Sequence, residues 1–161
     1  MFRIQAGYKG EMEVGVSADE ARRFFGEPRN FVEMMPGIES IEAQADGTRL
    51  WTILTEVPMV GAVRQVFPVR LTEDGDKLVE WSPANVEQGN LLRYAAHFTA
   101  VAENRTAVRI EQTIEIRRAS AKELHTFAGW VGEERISKEM QRGVTAMMDS
   151  FMKRVRVKLN G

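Results

Sequence analysis

A chain of 161 residues is long enough to bury roughly two thirds of its unfolded surface around one core without covalent staples. With no cysteine and only two histidines, a disulfide framework, a thiolate zinc site and a cysteine nucleophile are excluded, and the composition points to neither a metal nor a cofactor. A formal net charge of -1 argues against a nucleic-acid partner, and no apolar run approaches the roughly 20 residues of a membrane span, so the expectation is one cytoplasmic domain over 1–161.

From 2 to 16 the even positions read Phe2, Ile4, Ala6, Tyr8, Gly10, Met12, Val14 and Val16, while the odd ones carry Arg3, Gln5, Lys9, Glu11 and Glu13. Such alternation predicts a half-buried strand, too regular for a signal peptide, with Gly7 and Gly10 as bends. Ser17-Ala18-Asp19-Glu20 fits a capping box that starts a helix at Ala18, and Gly26 is placed to end it. Pro28 suits the first turn of a second short helix carrying Phe31, Val32, Met34 and Met35, which Pro36-Gly37 stops.

Beyond Gly37 the pattern changes to strands, expected at about 38–45, 48–57, 63–73, 77–83, 91–102 and 106–116. Alternation gives them one apolar face, which includes Ile41, Ala43, Trp51, Ile53, Val63, Phe67, Val69, Leu71, Val79 and Trp81. It continues through Leu92, Tyr94, Ala96, Phe98, Ala100, Val108, Ile110, Ile114 and Ile116. One dry face and one wet face is the mark of an antiparallel sheet packed on a single side.

The connections fall into two classes. Asp46-Gly47, Glu73-Asp74-Gly75-Asp76 and Glu103-Asn104-Arg105 are short and polar, as tight hairpins in water are. Residues 58–61, 84–90 and 119–131 are longer and partly apolar. In an up-and-down meander alternate connections share one end, so Met59, Val60, Phe127 and Trp130 fringe one mouth, as a portal or as plain closure of the core.

The chain closes with a helix expected over 133–159, about seven turns without a proline. Its apolar face is Ile136, Met140, Val144, Met147, Phe151 and Val155, and the face carrying Lys138, Glu139, Gln141, Arg142, Asp149, Lys153 and Arg156 suits water. The expected architecture is α+β: a seven-stranded antiparallel curved sheet wrapped around this helix, with two short helices between the first and second strands. An apolar segment at 119–131 and a basic stretch at 153–158 leave room for a homodimer, a peripheral membrane contact or a protein contact.

This order of elements resembles the helix-grip fold of the START-like or SRPBCC superfamily, which includes polyketide cyclase-like proteins and lipid-transfer START domains. The resemblance is carried by Val16 to Ala21, by Phe31 and Pro36-Gly37-Ile38-Glu39-Ser40-Ile41, by Leu92-Arg93-Tyr94 with Phe98, and by Thr106-Ala107-Val108-Arg109-Ile110. The Pro-Gly-Ile-Glu-Ser-Ile stretch is similar to the carbon monoxide dehydrogenase accessory-protein branch of that superfamily. What the resemblance implies is a lumen for an apolar ligand; it brings no common catalytic residue.

An acid–base enzyme must place a titratable group within hydrogen-bond reach of its substrate. Among the inward positions only Glu39 qualifies, at the mouth end, and a Glu39–His125 pair is the one catalytic arrangement the topology suggests. Binding of a small hydrophobic molecule is therefore the leading expectation. Its lining would be Trp51, Gln65, Phe67, Trp81, Tyr94, Phe98, Gln112, Met140, Met147 and Phe151. Gln65 and Gln112 either orient a ligand's polar head or bond each other, the helix or a trapped water. A cyclase or dehydratase on the same scaffold, and an accessory or recruitment component of a larger, carbon monoxide dehydrogenase-like enzyme, are the alternatives.

Overall fold

The computed structural model describes residues 2–57, 61–85, 87–120 and 131–160. The period-two segments become β1 (Phe2–Val14), β2 (Ile38–Ala43), β3 (Arg49–Val57), β4 (Gly61–Asp74), β5 (Leu78–Pro83), β6 (Asn90–Ala102) and β7 (Arg105–Arg118). The helices are α1 (Ala18–Phe25), α2 (Pro28–Met34) and the long α3 (Glu133–Asn160). Ser17 caps α1 by accepting from the Glu20 backbone N–H at 3.2 Å, and Pro28 opens α2. The sheet is antiparallel throughout, in the order β1-β7-β6-β5-β4-β3-β2. No helix among the described residues is long and apolar enough to cross a membrane.

The registers fix two ends of the trough. Phe2, Val57, Gly61, Asn90 and Arg118 lie at what we term the upper end, and Val14, Ala43, Arg49, Asp74, Ala102 and Arg105 at the lower. Helix α3 runs alongside β1 from the upper end to the lower, because its side chains hold β1's free edge. The Gly7 N–H donates to Gln141 Oε1 at 2.8 Å, and Gln141 Nε2 donates back to the Gly7 carbonyl at 2.6 Å. The Gln5 N–H donates to Ser137 Oγ, the Tyr8 hydroxyl to Asp149 Oδ1, and the Gly15 N–H to Asn160 Oδ1. An open edge strand exposes unpaired main-chain groups, and here the helix covers them. Gln141 and Asp149 therefore face the β1 edge, where the helical pattern alone had assigned them to water. Gly10 leaves space for the Tyr8 ring, whose hydroxyl lies only 2.6 Å from where a Cβ would stand.

At the lower end the trough is filled. Phe31 from α2 reaches three rings: Trp51 on β3 at 5.3 Å, Tyr94 on β6 at 5.0 Å and Phe151 on α3 at 5.5 Å. Phe25 from α1 adds Phe98 and Phe151. Two departures from simple alternation matter. In β2 the register shifts between Ile38 and Ser40, which leaves Ile38 buried and Ala43 exposed; in β4 a shift after Leu71 leaves that side chain 39% exposed. Ala100 is likewise exposed beyond the packed region.

The main-chain cap on β1 has a measurable weight. Gln141→Ala removes both bonds to Gly7 and should lower stability by about 1–2 kcal/mol. Thermal denaturation then shows a midpoint lower by roughly 2–8 °C.

Candidate ligand cavity

A helix held against β1 leaves the other side of the trough, under β3 and β4, less tightly covered. A cavity of about 280 Å³ lies there, toward the upper end. Its sheet wall is Ile53, Leu54 and Thr55 of β3, Val63, Gln65 and Phe67 of β4, and Ile114 and Ile116 of β7. Met140, Gly143, Val144, Ala146 and Met147 of α3 face them, and Pro36 and Gly37 close one side. Gly37 has φ 93°, and a Cβ there would come within 3.0 Å of the Leu54 carbonyl, so the turn into β2 passes close over β3 only because the residue is glycine. None of these lining side chains carries a charge; Thr55 and Gln65 are the polar ones.

Gln65 is held from outside the cavity. Its Oε1 accepts from Arg118 Nη2 at 2.6 Å and Asn90 Nδ2 at 3.0 Å, and Arg118 also donates to Asn90 Oδ1 at 2.7 Å. The cluster exists because β5 is short. Its ladder with β6 runs only from Leu78 to Trp81, and above it β4 and β6 are bridged by side-chain amides: Asn90 Nδ2 to the Val66 carbonyl at 2.8 Å and Gln88 Nε2 to the Pro68 carbonyl at 3.0 Å. Sequence reading missed Asn90 and Arg118. Their signal was present, since Asn90 continues the inward parity of Leu92 and Tyr94, and Arg118 that of Ile114 and Ile116, on strands that run two residues or so further than expected.

Below the cavity the interior is aromatic. The Trp51 ring lies 6.2 Å from Trp81 and 6.4 Å from Tyr94, and all three are buried. Trp51 Nε1, Trp81 Nε1, Tyr94 Oη and Gln112 Oε1 have no hydrogen-bond partner among the described residues. Burial pushes the Tyr94 hydroxyl well above its ordinary pKa, so it stays a neutral donor.

No protein-family model and no curated protein sequence matches the chain. Solved structures do. The Zhui aromatase/cyclase from Streptomyces sp. R1128 matches with TM-score 0.59 at 12% identity, over 93% of this chain and 93% of that one. A START superfamily protein from Mycobacterium smegmatis matches with TM-score 0.50 at 11% identity, over 87% and 98%. The chain has the START-like helix-grip fold. The di-domain ARO/CYC StfQ of the steffimycin biosynthetic pathway, with TM-score 0.59 at 12% identity, is covered over 51% of its length by 97% of this chain, so the chain spans about half of that protein. At such identities the likeness concerns the fold.

Within this helix-grip interior, Gln65, Phe67, Met140 and Met147 stand at the cavity wall. Trp51, Trp81, Tyr94, Phe98, Gln112 and Phe151 lie deeper, in the packed region. Met59, Val60, Phe127, Trp130 and His125 fall outside the described residues. Glu39 does not share the cavity. It is the extra residue at the β2 register shift and points outward, where Arg64 bonds both carboxylate oxygens at 2.7 and 2.9 Å. Those hydrogen bonds hold its carboxyl below the ordinary range, the reverse of what a general base near neutrality needs. Gln112, expected to have a partner in any reading, has none for its carbonyl among the described residues.

Gln65→Leu should lower stability by about 1–3 kcal/mol, since Asn90 and Arg118 lose a shared acceptor at a half-buried place. Gln65→Glu, which keeps the acceptor opposite Arg118, should retain most of it in the same denaturant titration.

Proposed function

We propose that the protein binds one small hydrophobic molecule in the cavity between the sheet and α3. The observation that supports this best is the uncharged void of about 280 Å³ inside a core that is otherwise closely packed. Protein interiors seldom keep spaces much larger than a water molecule, because each lining atom forfeits dispersion contacts. A cavity of about 150 Å³ accepts one benzene ring, so this one suits a body on the order of two rings or an acyl segment of that bulk. Burial contributes about 0.8 kcal/mol per CH₂, enough for micromolar binding with no ionic anchor.

A cyclase-type reaction is the second reading, favoured by the names of Zhui and StfQ. It requires an acid or base within about 3 Å of the reacting atom. Among the described residues no titratable side chain lines the cavity, which weighs toward binding alone.

Native mass spectrometry of freshly purified protein should reveal a co-purified small apolar molecule. Val144→Phe, a substitution that fills the cavity from α3, should weaken binding of the neutral fluorophore N-phenylnaphthylamine by about tenfold or more. The same variant should unfold no earlier than the parent, because cavity filling generally stabilises. Unaltered fluorophore affinity would place the ligand elsewhere.

A further inference from the structure

The floor of the cavity carries more polar capacity than the closed structure uses. Ile53, Gln65 and Ile114 line the cavity, and the next inward residues down the same three strands are Trp51, Phe67 and Gln112. Gln112 opposes Tyr94 across β6 and β7, and Tyr94 opposes Trp81 across β5 and β6. The four unpartnered atoms, Trp51 Nε1, Trp81 Nε1, Tyr94 Oη and Gln112 Oε1, therefore belong to one neighbourhood directly beneath the cavity. Their residues are at most 3% exposed, so bulk water does not reach them. Buried polar groups are nearly always paired in folded proteins, and four together call for a partner.

The chemistry of that partner follows from the inventory. Two indole N–H groups can only donate, a phenol donates readily, and a single amide oxygen accepts. The complement is rich in acceptors. It is also neutral, since no cationic side chain lies among these residues to offset a buried carboxylate. What stands between the cavity and these groups is Phe67 and Met147, both at the cavity wall, and an unbranched thioether repacks easily.

We propose that an occupied cavity deepens past Phe67 and Met147, and that Trp51, Trp81 and Tyr94 then donate to the carbonyl oxygen of a compact, two-ring ketone whose apolar body fills the space above. This rests on the reading of the cavity as a binding site and names the class of ligand it selects. The free protein holds the donors unpaired; the ligand's oxygen pairs them.

The experiment compares tetralone with tetralin, the same bicyclic skeleton with and without a carbonyl, as competitors of N-phenylnaphthylamine. In a purely apolar cavity the ketone is the weaker ligand, because water solvates its oxygen. With the donors engaged it is the stronger, by about tenfold in the parent protein. Tyr94→Phe removes one oxygen and should cut that preference several-fold. Tetralin affinity and the thermal midpoint without ligand should hold or rise, since an unpaired hydroxyl is lost. Trp81→Phe provides the same comparison if Tyr94→Phe does not fold. Tetralin binding with no ketone preference, or with a preference that both variants keep, overturns the proposal and leaves the cavity reading intact. A thermal midpoint several degrees lower in Tyr94→Phe also overturns it, because the hydroxyl then has a partner in the free protein. Failure of the fluorophore and both competitors to bind the parent removes the cavity reading and this proposal together.

Discussion

A single α-helix, about 10–12 Å across with its side chains, cannot fill a trough made from seven strands spaced about 4.8 Å apart. Where the helix settles decides where space remains. In this chain it settles against β1, whose free edge offers main-chain groups that Gln141, Ser137 and Asn160 satisfy. The far side of the trough, under β3 and β4, must be filled by something else. At the lower end α1 and α2 supply Phe25 and Phe31; at the upper end no described element inserts a side chain, and the cavity is what is left. The hydrogen bonds to one strand edge thus determine the position of a void on the opposite side of the molecule.

How much of this was legible in the sequence depends on which physical signal was asked for. Parity along the strands and the 3.6-residue spacing of Ile136, Met140, Val144, Met147, Phe151 and Val155 placed the architecture, because burial of one face is a property each element carries alone. The capping of α1 by Ser17 and the proline at the start of α2 were equally local. Glu39 was misassigned because a bulge adds one residue and reverses parity, and a bulge leaves no mark in the alternation of a six-residue strand. Gln141 was given to water because a polar residue on a helix looks the same whether it meets solvent or a strand edge. Asn90 and Arg118 were lost by ending β6 and β7 too early. Their pairing with Gln65 joins three strands distant in sequence, something that only the assembled sheet reveals.

The aromatic half of the interior explains how the chain tolerates unpaired donors. Each buried donor without a partner costs about 1–3 kcal/mol. Fully burying a large apolar side chain contributes about 1.5–3 kcal/mol, and well-placed ring pairs add about 0.5–1.5 kcal/mol. Phe31 touches three rings from three elements, and Trp51 touches Phe31, Trp81 and Tyr94. The groups that carry the orphaned N–H and O–H are therefore the same side chains that contribute most to packing. Phenylalanine at these places would fill much of the same space without the polar atom, so their polarity is not required by the core.

The two walls of the cavity differ in stiffness, and that difference bears on selectivity. Ile53, Val63, Ile114 and Ile116 are β-branched residues on strands, restricted at χ1 and fixed by the ladder behind them. Met140 and Met147 on α3 are unbranched and adaptable. The sheet therefore sets the outline a ligand must meet, and the helix accommodates the remainder. An apolar wall discriminates weakly, since one methylene more or less changes binding by only about 1–3 kcal/mol, whereas a buried donor left unpaired rejects a ligand that lacks the matching acceptor far more strongly. Affinity in this fold belongs to the uncharged space beneath β3 and β4, and discrimination belongs to the few polar atoms below it.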